Sequence, residues 1–164
     1  MRRGWYLPDD RLYTLEVCII RGPMTQKFVK QNRVISRTIQ IRGDNTLEDL
    51  HRTIFRAFNR QNAHMFEFQV GGKGPMDRKA RRYVPPVGMK DGSKPAGDVT
   101  CVAMGKLGLR VGDAFGYWFD FGDDWWHQIN VVTITEKATR GTFPKVSKRV
   151  GKSPPQYADL DKES

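Results

Sequence analysis

One capped amphipathic helix lies between segments in which apolar and polar residues alternate, and this order constrains the fold more than any other feature. The helix begins at Thr46, whose side chain can cap free backbone N–H groups while Asp49, three residues on, caps in return. Its apolar residues recur at helical spacing and form one stripe, at Leu47, Leu50, Ile54 and Phe58. The sequence therefore predicts one helix that buries a single face.

The alternating segments indicate strands, because side chains of a strand point to its two faces in turn. They are residues 12–20, 34–41, 64–70, 115–121 and 125–136, the last two joined by a tight turn at 122–124. Arg37 shares a strand face with three isoleucines, and an arginine on a core face needs a partner. The predicted fold class is α+β, a single domain with a largely antiparallel sheet and one main helix packed on one face.

The chain has 164 residues, the length of one ordinary domain. Residues 1–152 are predicted to form this domain, with a long basic loop at about 71–98, and residues 153–164 to form a polar C-terminal tail. No apolar run approaches the roughly 20 residues that a membrane-spanning helix needs. Charged residues also interrupt the start of the chain where a signal peptide would be apolar. A cytoplasmic location without membrane contact is expected.

The formal net charge is +10, and most of the excess lies in two segments without regular pattern. Residues 71–98 carry +4 and residues 137–152 carry +6, whereas residues 99–136 between them carry −3. Positive loops attract phosphate backbones without reading sequence. The predicted nucleic-acid-binding residues are Lys73, Arg78, Lys79, Arg81 and Arg82 in the first cluster and Lys145, Lys148, Arg149 and Lys152 in the second. A solvated surface that aids solubility is the alternative.

An acidic cluster in the hairpin is the candidate for catalysis. Its members fall within eight residues: Asp120, Asp123, Asp124 and His127. Oxygen-rich clusters can hold Mg²⁺ or Mn²⁺ for phosphodiester chemistry, but aspartates also shape turns by bonding the local backbone. Strand alternation can place Asp120 and His127 on opposite faces. We favour the turn interpretation and predict no catalytic residue, no metal and no cofactor.

The histidines and tryptophans give two further hypotheses. His51, His64 and His127 could in principle ligate zinc, but none is paired at a zinc-binding spacing. Aromatic residues beside basic loops could stack on unpaired bases, although most aromatic residues of a strand belong to the core. At least one of Trp125 and Trp126 must point away from the core if their strand is regular.

Three stretches of this sequence resemble the plasmid pRiA4b ORF-3-like family. The first is residues 35–41, where Ser36 stands in place of a usual Trp. The second runs from residue 46 through 58 to 68, with Asn59-Arg60 in place of the usual Gly-Trp, and the third is residues 117–127. Gln156-Tyr157 stands where the family has Glu-Asp, and the chain stops before the family's Gly-rich C-terminal section.

The resemblance implies a fold and a genetic setting, namely proteins encoded on plasmids and as passengers of insertion sequences. It does not imply a reaction. The preferred function is a non-catalytic nucleic-acid-associated binding module linked to mobile elements. The alternatives are a metal-dependent hydrolase that uses the acidic hairpin, and a protein-interaction adaptor whose basic loops meet an acidic protein.

Overall fold

An eight-stranded sheet dominates the computed structural model, which describes residues 8–90 and 92–160. The strands are β1 Leu12–Arg21, β2 Ser36–Arg42, β3 Phe66–Val70, β4 Arg81–Val84, β5 Gly97–Asp98, β6 Ala114–Phe119, β7 Trp125–Thr135 and β8 Lys145–Val150. The α-helices are α1 Gln26–Gln31 and α2 Leu47–Ala57, and short 3-10 helices span Pro86–Lys90 and Met104–Lys106.

The strand order across the sheet is β5-β4-β3-β6-β7-β1-β2-β8. Every neighbouring pair is antiparallel except β4 and β5, which are parallel. The predicted largely antiparallel sheet with one main helix is therefore confirmed, although the sheet outweighs the helices. The long loop predicted at 71–98 is wrong in part, because it contains β4, β5 and a 3-10 helix. The segment after residue 137 likewise contains β8.

Helix α2 packs on one face of the sheet, which we call the helix face. Its predicted cap exists in full: the Thr46 side chain accepts from the Asp49 N–H and the Asp49 carboxylate accepts from the Thr46 N–H. Leu47, Leu50 and Ile54 are fully buried in the core with the inward side chains of the strands. Helix α1 also packs on this core, through its partly buried Phe28. The opposite face of the sheet, which we call the open face, has neither α-helix on it.

The end of α2 sets up the region where the buried polar side chains collect. Asn59 adopts a left-handed backbone with φ 54°. The N–H of Asn59 bonds to the Arg56 carbonyl and the N–H of Arg60 bonds to the Phe55 carbonyl, which is the Schellman pattern of helix ends. This turn directs Arg60 back under the helix, where its side chain is buried.

Candidate functional site

The first basic cluster lies at the β5 edge of the sheet, and its members differ in accessibility. Arg82 donates to Glu67 at 2.6 Å and to Ser93 at 2.7 Å, and the Glu67 side chain is buried. Arg81 donates to the Leu107 carbonyl at 3.3 Å. Lys73, Arg78 and Lys79 are exposed around the turn before β4. Two of the five predicted residues thus already have partners within the protein.

The second basic cluster lies on and just beyond β8, at the opposite edge. Lys145 and Lys148 are cross-strand neighbours of Gln40 and Thr38, which point to the open face. Arg149 is the neighbour of Arg37 and so belongs to the helix face. Lys152 follows the strand, and its backbone N–H bonds to Asn32 at the end of α1.

The two basic clusters do not form one surface. Strands β4 and β8 are six positions apart in the sheet, which corresponds to about 29 Å at a strand spacing of about 4.8 Å. A ligand that uses both clusters would have to cross a whole face of the sheet. The clusters must therefore be considered as separate sites.

The acidic hairpin is organised as a turn. Asp120 has φ 60° and its carboxylate accepts the backbone N–H groups of Gly122 and Asp123, at 3.2 and 3.3 Å. Asp124 has φ 59° and accepts from the Trp118 indole at 2.9 Å. Both aspartates occupy left-handed positions, which Asp adopts more readily than most residues. At Asp120 the side chain also bonds the local backbone, as is typical of such turns.

His127 points away from these aspartates, into the core beneath α2. Its Nε2 accepts from Arg60 at 2.8 Å, since arginine can only donate, so its Nδ1 carries the proton and donates to the Tyr117 carbonyl at 3.1 Å. Burial, and next the charge of Arg60, hold the pKa of His127 well below its usual value. Both ring nitrogens are occupied, so this histidine cannot serve the hairpin as a ligand or a base.

The three histidines do not converge on one point. His51 bonds through Nδ1 to the Tyr117 hydroxyl at 2.6 Å, and burial lowers the pKa of His51 to about 3. His64 lies at the surface, with its Nε2 2.8 Å from the Tyr157 hydroxyl and 3.4 Å from an Asp120 oxygen. Within residues 8–90 and 92–160, no group of three or more His, Cys, Asp or Glu side chains is placed to hold a metal ion.

Arg60 joins this network to the aromatic core, and the sequence reasoning assigned it no role. Its guanidinium carbon lies 5.3, 4.8 and 5.1 Å from the ring centroids of Phe58, Phe119 and Trp125. Burial lowers the pKa of Arg60 to about 10. Of the described buried side-chain nitrogens and oxygens, only Arg60 Nη1 and Trp125 Nε1 have no hydrogen-bond partner. Asn59-Arg60 thus supplies a left-handed residue and a buried cation that lies over aromatic rings.

A stacked aromatic group lies on the open face, at the β6–β7 turn. Trp118 and Trp126 are cross-strand neighbours with ring centroids 4.8 Å apart and planes 6° from parallel. Phe121 lies 4.1 Å from Trp118 and is 38% exposed. Trp125 is fully buried on the helix face, so Trp126 is the tryptophan that points away from the core. Arg21, at the end of β1, is the neighbour of Trp126 and is exposed.

The geometry defines a class: a mostly antiparallel sheet with an α-helical face, an open face, and a buried Arg–His–Tyr–His network. A family model described as "Plasmid pRiA4b ORF-3-like protein" matches residues 27–159. The chain belongs to this family. No curated protein matches the chain.

A solved structure supports the same fold. It is the protein of unknown function MM3350 from Methanosarcina mazei Go1, with a TM-score of 0.64 and 19% sequence identity. The match covers 85% of this chain and 69% of that chain. In the described residues, no helix is long and apolar enough to cross a membrane.

Proposed function

We propose that this protein binds single-stranded nucleic acid on the open face of its sheet, without catalysing a reaction. The observation that carries the proposal is the stacked group of Trp118, Trp126 and Phe121 on a face without an α-helix. Phe121 is exposed, and Trp118 and Trp126 are half-buried. Accessible aromatic rings stack on unpaired bases and tolerate any sequence, because every base has a π-face. A duplex buries its base faces, so a single strand is the better match.

The side chains around the aromatic group suit an extended strand. From β7 to β2 the open face carries short or uncharged polar residues that are half-buried: Thr14, Cys18, Thr38, Gln40, Gln128 and Asn130. Glu16 is the acid among them, and it accepts from Asn130 at 3.3 Å. Amides and hydroxyls of this kind can bond to bases and sugars without excluding water.

Cations flank the aromatic group on the same face. Arg21 lies directly beside Trp126, and Lys145 and Lys148 border the face at the β8 edge. Three strand spacings separate β7 from β8, which is about 14 Å. The register adds a displacement along the strands, because Lys148 is level with Asn130, four residues or about 14 Å along β7 from Trp126. A strand that stacks on Trp126 could run diagonally across β1 and β2 and place its phosphates beside Lys148. Each contacted phosphate should make affinity depend on salt.

The test is a titration of labelled single-stranded and duplex oligonucleotides of random sequence at several salt concentrations. We expect the single strand to bind more tightly, with a negative slope in log affinity against log salt. Trp126→Ala should cost about 1–3 kcal/mol of binding free energy through lost stacking. Val111→Ala, at an exposed apolar residue just before β6 and at the other end of that strand from Trp118, is the control and should bind as wild type.

Charge variants distinguish the two edges. Lys145→Gln with Lys148→Gln should flatten the salt slope by about 0.7 for each lost phosphate contact. Lys73→Gln with Lys79→Gln removes the same charge from the other edge and should change the slope little. Equal effects of the two pairs would show that attraction is general to the basic protein. No binding tighter than about 10⁻⁴ M at moderate salt would reject the proposal and favour an adaptor for acidic proteins.

The hydrolase hypothesis has less support. Asp120 and Asp124 are bonded within the turn, and His127 lies on the helix face with both nitrogens occupied. A catalytic site would need these groups to converge on one bound phosphate.

A further inference from the structure

A cleft on the outer side of α2 lies across the sheet from the proposed nucleic-acid surface. Its volume is about 180 Å³, and its lining residues are His51, Arg52, Phe55, Arg56 and Ala63. Drug-sized ligands occupy roughly 300–1,000 Å³, so this cleft has room for one ring with one small substituent. What binds here is independent of what binds on the open face.

The walls of the cleft are aromatic rings that the core holds in place. The His51 ring stacks on Phe66, with centroids 3.6 Å apart and planes 4° from parallel. The Phe55 ring packs edge-on against Phe119 at 6.0 Å and 77°. Because Phe66 and Phe119 are buried, neither wall can rotate without disturbing the core. A flat apolar ring would find preformed surfaces here.

His51 supplies a hydrogen-bond donor to this cleft. The Tyr117 hydroxyl is fully buried, and its proton needs an acceptor, which is His51 Nδ1 at 2.6 Å. The neutral imidazole then carries its proton on Nε2. Burial, with the charges of Arg60 and Arg52 next, lowers the pKa of His51, so the ring stays neutral and keeps this one donor.

The surroundings of the cleft are positively charged. Arg52 and Arg56 are exposed at its rim, and Arg52 donates to Glu48 at 3.2 Å in an i,i+4 ion pair. Arg60 is buried beneath the helix. Its Nη1 has no hydrogen-bond partner among the described residues, and its Nη2 donates to neutral His127. The charge of Asp120 raises the pKa of Arg60, and an Asp120 oxygen lies 3.4 Å from His64 Nε2. An anion in the cleft would therefore be attracted by the rim arginines, Arg56 and Arg52, of which Arg52 is partly balanced by Glu48.

We propose that this cleft binds a small planar anion, a single aromatic ring that bears a carboxylate. The ring would lie against His51 and Phe55, whose centroids are 6.2 Å apart with planes tilted by 50°. The carboxylate would accept from the rim guanidinium groups and from His51 Nε2. A carboxylate in the plane of its ring matches the flat fork of arginine, which binds such groups with two parallel hydrogen bonds. The proposal does not rest on nucleic-acid binding.

The first experiment compares benzoate with benzamide, its neutral isostere, by NMR titration of the full chain. For a ligand of this size, we expect a benzoate Kd on the order of 1 mM, with benzamide binding at least roughly tenfold more weakly. Shifted ring signals should include His51 and Phe55. Equal affinity for the two compounds would remove the basis for an anion site, and tighter binding of phenyl phosphate would overturn the carboxylate assignment.

Variants at exposed positions then locate the site. Ala63→Trp fills the cleft and should abolish benzoate binding, whereas Arg56→Gln should weaken it roughly fivefold to tenfold through a lost charge-assisted bond. Arg33→Gln removes an exposed arginine beyond α1 and should bind as wild type. Unchanged melting temperatures would verify that all three proteins fold. Wild-type benzoate affinity in Ala63→Trp would refute the site, and oligonucleotide binding by this variant should stay unchanged.

Discussion

Arg37 shows how a residue that violates its local pattern becomes a structural anchor. It lies on a strand face with isoleucines, yet its side chain is nearly inaccessible at 2% exposure. Its partners are carbonyl groups: Ala57 at 3.0 Å, Ser36 at 2.7 Å, Val150 at 3.0 Å and Gly151 at 3.1 Å. Its Nη2 also donates to the Ser153 hydroxyl at 3.0 Å. The Ala57 carbonyl ends α2, where the helix dipole favours a cation.

Replacing Arg37 should therefore destabilise the protein by more than its position in the sheet suggests. Arg37→Met leaves several buried carbonyls without donors, and we expect a loss of about 3–5 kcal/mol in the free energy of unfolding. Arg37→Lys keeps the charge but reaches fewer acceptors, so its loss should be smaller. Urea denaturation of the two variants measures both losses in the free energy of unfolding. Losses below about 0.5 kcal/mol in both variants would contradict the anchoring role.

His51 makes stability depend on pH. Its pKa is about 3 in the folded protein and about 6.5 in the unfolded chain, so below pH 6.5 the unfolded state binds a proton that the folded state does not. Stability is then complete above pH 6.5 and falls as the pH decreases toward 3. Protonation of His51 in the unfolded chain should therefore lower the free energy of unfolding by about 2 kcal/mol between pH 7 and pH 5.

The measurement is urea denaturation at several pH values between 7 and 5. His51→Gln has no proton to gain and should lose less stability over this range than wild type. His64→Gln, at the exposed histidine, is the matched control and should keep most of the wild-type dependence. If the free energy of unfolding depends on pH equally in wild type and His51→Gln, buried His51 does not stay neutral in the folded protein.

At the scale of elements, the sequence predicts the helices and strands whose own residues show a clear periodicity or cap. Helix α2 has both a reciprocal cap and an apolar stripe, and strands β1, β6 and β7 alternate over at least six residues. Strands β4, β5 and β8 do not, because they are short strands at or next to the sheet edges whose existence depends on pairing with distant partners. Helix α1 has six residues, too few for a periodic stripe.

The apolar stripe of α2 gives a prediction about the stability of the protein. Leu50 is fully buried, and Leu50→Ala should cost about 2–5 kcal/mol through lost burial and the cavity that remains. Arg52→Ala, exposed on the same helix, should change stability by no more than about 0.5 kcal/mol. Thermal and urea denaturation of both proteins test the pair. A Leu50→Ala protein as stable as Arg52→Ala would place the stripe in contact with water.

The candidate sites were harder to predict than the fold, for reasons of register and topology. Alternation indicates that either Trp125 or Trp126 faces outward, but only the pairing of Trp126 with Trp118 decides which. The position of Arg21 beside Trp126 follows a β-bulge in β1, which no local pattern announces. Arg60 enters the core through the turn after α2, and the sequence signal for that turn is Asn59 alone.

Across the whole molecule, the β8 edge depends on the segment that follows it. Ser153 binds Arg37, and the Gln156 side chain accepts the backbone N–H groups of Gln61 and Asn62 at 2.8 and 3.1 Å. Gln156 also donates to the Asn62 carbonyl at 2.8 Å. Pro154 is buried, and Tyr157 bonds to His64 at 2.8 Å. The domain boundary predicted at residue 152 thus lies just before a segment that connects β8 to the end of α2.

A chain that ends at Lys152 tests this arrangement. It loses the bonds that Ser153, Gln156 and Tyr157 make, several of them exposed, and we expect it to be less stable by roughly 1–3 kcal/mol. Hydrogen exchange should increase in residues 59–64 and in β8, whose contacts the segment supports. A chain that ends at Leu160 is the control and should exchange as the full chain does. If truncation at Lys152 changes neither stability nor exchange, residues 153–157 are a tail without a structural role, and Arg37 and β8 alone hold this edge.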